Sequence, residues 1–181
     1  MKPIGVGREP YMYVLALVLM SGCVTTEASL WQAATRGDLG RVTALLAQGH
    51  SAQAADERGV TPLFLAAQQG HRQVVALLLN HGASAIQPRH DGVTPLVVAI
   101  QGGHTEIVSL MLASGVDVNA RTSQIAGATL LHVAAHRGDQ EIVALLLKQG
   151  GNKFARMTSG ERPVDLARQQ GHTALIPLLE P

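Results

Sequence analysis

The chain has 181 residues, of which 46% are hydrophobic, 3% aromatic and 15% charged, with a formal net charge of +1. That length suits one domain, and its core must be built from Leu, Val and Ala instead of large aromatic side chains. The near-neutral balance argues against nucleic acid as a partner, which wants a basic face.

Residues 1–22 read as a segment apart. Lys2 and Arg8 give a weakly basic start, Tyr11 to Met20 is an unbroken apolar run, and Ser21, Gly22 and Cys23 follow. A short charged region, an apolar stretch and small residues describe a secretory signal peptide. The alternative is an uncleaved anchor, but the run falls well short of the roughly 20 residues a spanning helix takes. Met20-Ser21-Gly22-Cys23 resembles a bacterial lipobox, with Met20 standing where Leu is more usual. The resemblance implies that Cys23 is lipidated and becomes the mature N-terminus. Cys23 is the only Cys in the chain, and an unpaired thiol in an exported protein would otherwise be a liability or an intermolecular link. Lipidation implies a membrane partner and a bacterial cell envelope location. Val24 in place of Asp implies the outer membrane, facing the periplasm. Removing residues 1–22 takes away Lys2, Arg8 and Glu9, so the net charge falls to zero. Residues 23–27 form a short tether. Val24 to Glu27 reaches about 14 Å at full extension, which would hold the rest of the chain close to the membrane.

From residue 28 the chain repeats. Gly37, Gly70, Gly103, Gly138 and Gly171 are spaced by 33, 33, 35 and 33 residues, and Gly49, Gly82, Gly115 and Gly150 by 33, 33 and 35. Repeat one, about 28–58, is a worn copy whose Gln32, Arg36, Arg41 and Gln48 suit the polar outer face of a cap. Its Trp31 is expected to pack on the neighbouring loop, with ligand stacking as the alternative. Repeat two, about 59–91, is the clearest. Thr61 is a suitable N-cap and Pro62 a suitable first helical residue. Leu63, Leu65, Ala66 and Ala67 supply an apolar face, and Gly70 a left-handed stop. Val74, Val75, Leu77, Leu78 and Leu79 make a second helix that Gly82 ends. In its loop, Ile86-Gln87-Pro88 replaces the Asn-Ala-Arg found at Asn119-Ala120-Arg121.

Repeat three, about 92–126, has Gly102-Gly103, expected to loosen or shorten the end of its first helix. The two extra residues of the 35-residue interval fall within Arg121 to Gly127 and lengthen that loop. Ile125 near its tip offers an apolar anchor, against the alternative of a neutral insertion. Repeat four, about 127–159, carries Thr129 and His132. Repeat five, about 160–181, swaps them for Arg162 and Asp165, and Pro177 is expected to interrupt its second helix and leave a frayed end. Helices this short are marginal alone, since isolated helices under roughly 12–15 residues rarely hold. Stacking helix pairs into a solenoid buries what each pair leaves exposed.

Gly59-Val60-Thr61-Pro62-Leu63-Phe64-Leu65-Ala66-Ala67, Asp91-Gly92-Val93-Thr94-Pro95-Leu96, Thr129-Leu130-Leu131-His132-Val133-Ala134-Ala135 and Gly115-Val116-Asp117-Val118-Asn119-Ala120 resemble ankyrin repeats. The resemblance covers about Ala28 to Leu179, within a domain set at 28–181. It implies an all-α ankyrin-repeat solenoid of about five helix-turn-helix units with short β-turn fingers, and it makes Thr129 and His132 a structural network. It further implies that a protein partner meets the finger tips and the exposed ends of the first helices. Those positions here are Arg36, Gln68, Gln69, Gln101, His136, Arg137, Gln169 and Gln170 on the helices, with Arg58, His90, Asp91, Gln124 and Ile125 on the fingers. The alternative is that they are only solvated.

Eight histidines invite a metal or catalytic reading. His71, His104 and His172 each follow a repeat glycine, so the period explains them. His132, His136 and Asp139 have no His-Glu-x-x-His signature around them, and no Gly-x-Ser-x-Gly elbow is present. The expectation is a non-enzyme with no cofactor, metal or small-molecule substrate. Three roles fit: scaffold or stabilising partner, immunity or inhibitor protein against a toxic or autolytic enzyme, and accessory factor for an oxidative-defence enzyme.

Overall fold

The computed structural model describes residues 30–125 and 127–180. The expectations for the signal peptide, Cys23 and the tether lie outside those residues. Ten α-helices follow in order: α1 over 30–36, α2 Leu39–Ala47, α3 Pro62–Gln69, α4 Arg72–Asn80, α5 Pro95–Gly102, α6 Thr105–Ala113, α7 Leu130–Arg137, α8 Gln140–Lys148, α9 Pro163–Gln169 and, after a 3-10 turn at Thr173–Leu175, α10 Ile176–Leu179.

The helix starts are fixed by local chemistry. Thr61 Oγ1 accepts the Phe64 N–H at 3.1 Å, and Thr94 Oγ1 accepts that of Val97 at 3.3 Å. Pro62 and Pro95 occupy the first turn, where a missing N–H is no loss. Gly70 closes α3 at φ 78°, a left-handed value that costs glycine little. The Gly102-Gly103 pair does not shorten α5. That helix runs through Gly102 and has the same eight residues as α3 and α7, because Gly103 supplies the stop at φ 73°.

First helices stack on first helices, α3 on α5 on α7 on α9, while α2, α4, α6 and α8 form a second row. Each pair is also closed internally, as α3 against α4, α5 against α6 and α7 against α8. The core runs through the whole stack, with Leu63, Leu78, Leu96, Ile100, Ile107, Met111, Leu131, Ile142 and Leu146 among its fully buried side chains. Full burial of one such side chain contributes about 1.5–3 kcal/mol.

Four fingers join the pairs. Three close over equal spans, with Asp56, Arg89 and Met157 N–H bonded to Val60, Val93 and Glu161 carbonyls at 3.0, 2.8 and 2.9 Å. The fourth closes from Thr122 N–H to the Ala128 carbonyl at 2.7 Å, which locates the two extra residues inside it. An isolated bridge between Arg121 and Thr129 lies at its base.

Repeat five departs from its expectation. Pro177 lies in the first turn of α10 and breaks nothing there; the break is the 3-10 turn before it. The end is held in place. Leu175 and Leu179 are both 1% exposed, Lys153 Nζ donates to the Glu180 carbonyl, and Arg168 pairs with the Glu180 carboxylate.

Candidate functional site

Two networks of polar side chains belong to the scaffold, and some of their members also face the open groove. The first is at His132, which is 1% exposed. Its Nδ1 accepts the Thr129 N–H at 3.1 Å and lies 2.9 Å from Thr129 Oγ1. A Nδ1 that accepts from an amide places the proton on Nε2, which donates to the Glu161 carbonyl at 3.2 Å. Both ring nitrogens are thereby used, and burial pushes the imidazole pKa down. In repeat five, Asp165 Oδ2 takes the Arg162 N–H at 2.9 Å, and the Arg162 guanidinium pairs with the same carboxylate. The Thr129–His132 and Arg162–Asp165 pairs therefore solve one problem, a free amide at a helix start, with different side chains.

The second network is a ladder along the helix ends. His71 Nε2 lies 2.9 Å from the Thr35 carbonyl oxygen, His104 Nε2 3.4 Å from that of Gln68, and His172 Nε2 3.1 Å from that of His136. Between repeats three and four Arg137 Nη1 donates to the Gln101 carbonyl. His71 and His104 are N-cap residues without a side-chain cap bond. At the matching place in repeat four Asp139 accepts the Ile142 N–H at 3.1 Å. Asp139 thus caps its own helix, and the longer Arg137 supplies the rung. The rungs press on the repeat glycines: a Cβ on Gly70 would stand 2.7 Å from the His104 ring.

An open groove of about 720 Å³ runs across repeats three to five. Ile125, Ala128 and Met157 line it from the fingers, and Val133, Leu166 and His132 from α7 and α9. Gln101, His136, Arg137, Gln170 and His172 complete it at the helix ends. Ile125 comes from the lengthened finger and is 40% exposed. The volume lies within the roughly 300–1,000 Å³ of typical ligand clefts.

All thirteen residues expected to meet a partner are exposed. Gln101, Ile125, His136, Arg137 and Gln170 come together in the groove. Arg36, Arg58, Gln68, Gln69, His90, Asp91, Gln124 and Gln169 do not line it. Asp91 is already engaged: Arg89 pairs with its carboxylate and holds its pKa down at about 2, and its Oδ1 accepts the Val93 N–H at 3.2 Å. Arg89 also covers the Phe64 ring, 5.0 Å from the centroid. Trp31 packs on the next finger as expected, donating Nε1–H to the Val60 carbonyl at 2.7 Å. Sequence reasoning missed Ala128, His132, Val133, Met157, Leu166 and His172 as lining residues.

A family model described as ankyrin repeats, in three copies, matches residues 30–122, and an ankyrin repeat model matches residues 126–157. The chain belongs to the ankyrin repeat family. No curated protein matches the sequence. Ankyrin repeats are protein–protein interaction modules, and ankyrin repeat proteins are typically non-enzymatic scaffolds. Repeat five of this ankyrin array extends past the matched residues, and α9 packs on α7 as α7 packs on α5.

Proposed function

We propose that the protein is a non-enzymatic lipoprotein of the bacterial cell envelope that holds a protein partner as a scaffold or stabilising factor. Cys23 anchors it in the outer membrane, facing the periplasm, and the partner occupies the groove across repeats three to five. The observation that carries this reading is the convergence of Gln101, Ile125, His136, Arg137 and Gln170 on one groove with an apolar floor. Of the network histidines, His71 and His104 are rungs between repeats and lie outside the groove. The Met20-Ser21-Gly22-Cys23 stretch supports the anchor.

Site-specific photo-crosslinking from position 125 in living cells tests the binding half. A reproducible protein adduct is expected, and it should disappear when Arg137 is changed to Glu; adducts indifferent to that change would sink the groove as the site. For the anchor, the expected result is that Cys23→Ala abolishes acyl labelling and leaves the precursor unprocessed. Normal processing and sorting of that variant would dismiss lipidation.

A further inference from the structure

We infer that the partner presents an acidic segment to the groove: an extended stretch that seats an apolar side chain on Val133, Met157 and Leu166 and sets a carboxylate against His136, Arg137 and His172. This rests on the groove being the binding site proposed above and adds the chemistry of its occupant.

The argument is one of charge complementarity. The chain beyond residue 22 is neutral, but the groove is not an average sample of it. Four of its lining side chains carry basic groups; His132 is buried and committed at both ring nitrogens, which leaves His136, Arg137 and His172, and among the described residues no carboxylate lines it. These three stand together at the helix ends, because His172 bonds the His136 carbonyl and Arg137 the Gln101 carbonyl. Asp139 does not cancel them. It lies 3.8 Å from Arg137 Nε, outside the groove lining, and its Oδ1 is committed to the Ile142 N–H. An ion pair that long and that open to solvent is weak, and a guanidinium has five N–H groups, of which the Gln101 rung takes one. The His136 ring has no bonded partner among the described residues and is exposed.

The occupant is assigned to protein because of Gln101 and Gln170. An amide side chain both donates and accepts, so it matches the alternating N–H and C=O of an extended peptide. A fatty acid would share the apolar body and the carboxylate but leave both glutamines unanswered.

The test is selection from a random peptide library against the full chain in detergent micelles, followed by titration of the enriched peptides. Enriched sequences should pair an apolar residue with Asp or Glu. Their affinity should fall about tenfold in His136→Glu, which sets a like charge against the carboxylate without removing any side-chain bond. Arg137→Gln should weaken them in the same direction, and binding should vanish in Ile125→Asp. Peptides that need Ile125 but show no acidic preference and ignore His136→Glu would overturn this inference and leave the groove reading standing. Enrichment that never depends on Ile125 would overturn the groove reading itself. Saturable palmitate binding that Ile125→Asp abolishes, with no peptide enriched, would overturn the assignment to protein.

Discussion

His132 shows how far a single residue can be read from its surroundings. It is fully enclosed, bonded at both nitrogens and neutral, with its pKa lowered chiefly by burial. A lowered folded-state pKa means that the stabilising contribution is intact above the unfolded value of about 6.5 and is lost as pH falls through the folded pKa. Urea unfolding should therefore give declining stability as pH drops below about 6.5, and His132→Gln should flatten that part of the slope. His132→Ala should cost about 1–3 kcal/mol, because the buried Thr129 N–H loses its acceptor. A pH profile unchanged by either substitution would show that the imidazole does not titrate with folding. Arg162 and Asp165 give the contrast. Their carboxylate–guanidinium pair does the same capping in a half-exposed setting, and there the Asp165 pKa is lowered by its bonds to Arg162.

At the scale of the element, two features of the helix pair make predictions. Gly70 and Gly115 both have positive φ, but only Gly70 faces a neighbour, the His104 ring; around Gly115 nothing lies within 4 Å. Each Gly→Ala change should cost about 1–2 kcal/mol from the backbone alone. Gly70→Ala should cost more, and the excess should disappear when His104 is also changed to Ala; equal costs in the two single variants would show that the rung exerts no pressure. The second feature is a missing staple. Gln53 Nε2 donates to the Gly82 carbonyl at 2.7 Å, and Asn119 Nδ2 to that of Gly150 at 3.0 Å. Ile86 stands at the same repeat position, 51% exposed, and has no such bond to offer Gly115. Ile86→Asn should raise stability by about 0.5–1.5 kcal/mol in chemical unfolding, and a loss would mean that the loop around Pro88 cannot bring the amide within reach.

These elements were legible in the sequence because their causes are local. Thr61, Pro62 and Gly70 each act within one turn of themselves, and a period of 33 residues announces the stack. The groove was legible only in part. Its rim was found from the family pattern, but Val133 and Leu166 follow the same apolar periodicity that fills the core. His172 recurs with the repeat and so reads as scaffold, which it also is. Nothing within one repeat says that Met157 and Leu166, from different units, will face Ile125 across a gap. Gly102 and Pro177 misled for the opposite reason. Each is a helix breaker in general, and each falls at a helix end where breaking is harmless.

For the whole molecule, stability is a sum over neighbouring repeats. The last unit closes on Leu175 and Leu179, held by Lys153 and Arg168 through Glu180. Leu175→Ala should cost about 2–5 kcal/mol as a buried truncation, and the damage should be graded along the stack. Hydrogen exchange should show protection lost first in α9, then in α8, with α3 and α4 little changed. Uniform loss across all helices would mean that the array unfolds as one unit.

The lengthened finger between Thr122 and Ala128 says something about how such a surface can change over time. Two residues were added to it, yet α7 still stacks on α5 and a rung still joins Arg137 to Gln101. Lengthening a surface loop costs little, about 0.6 kcal/mol for each doubling, and here the contact of α7 with α5 is kept. This finger thus carries extra length while the contacts that stack its repeats are retained. Side chains at such a tip, as Ile125 is, can therefore differ in number and kind with no demand on the packing between repeats.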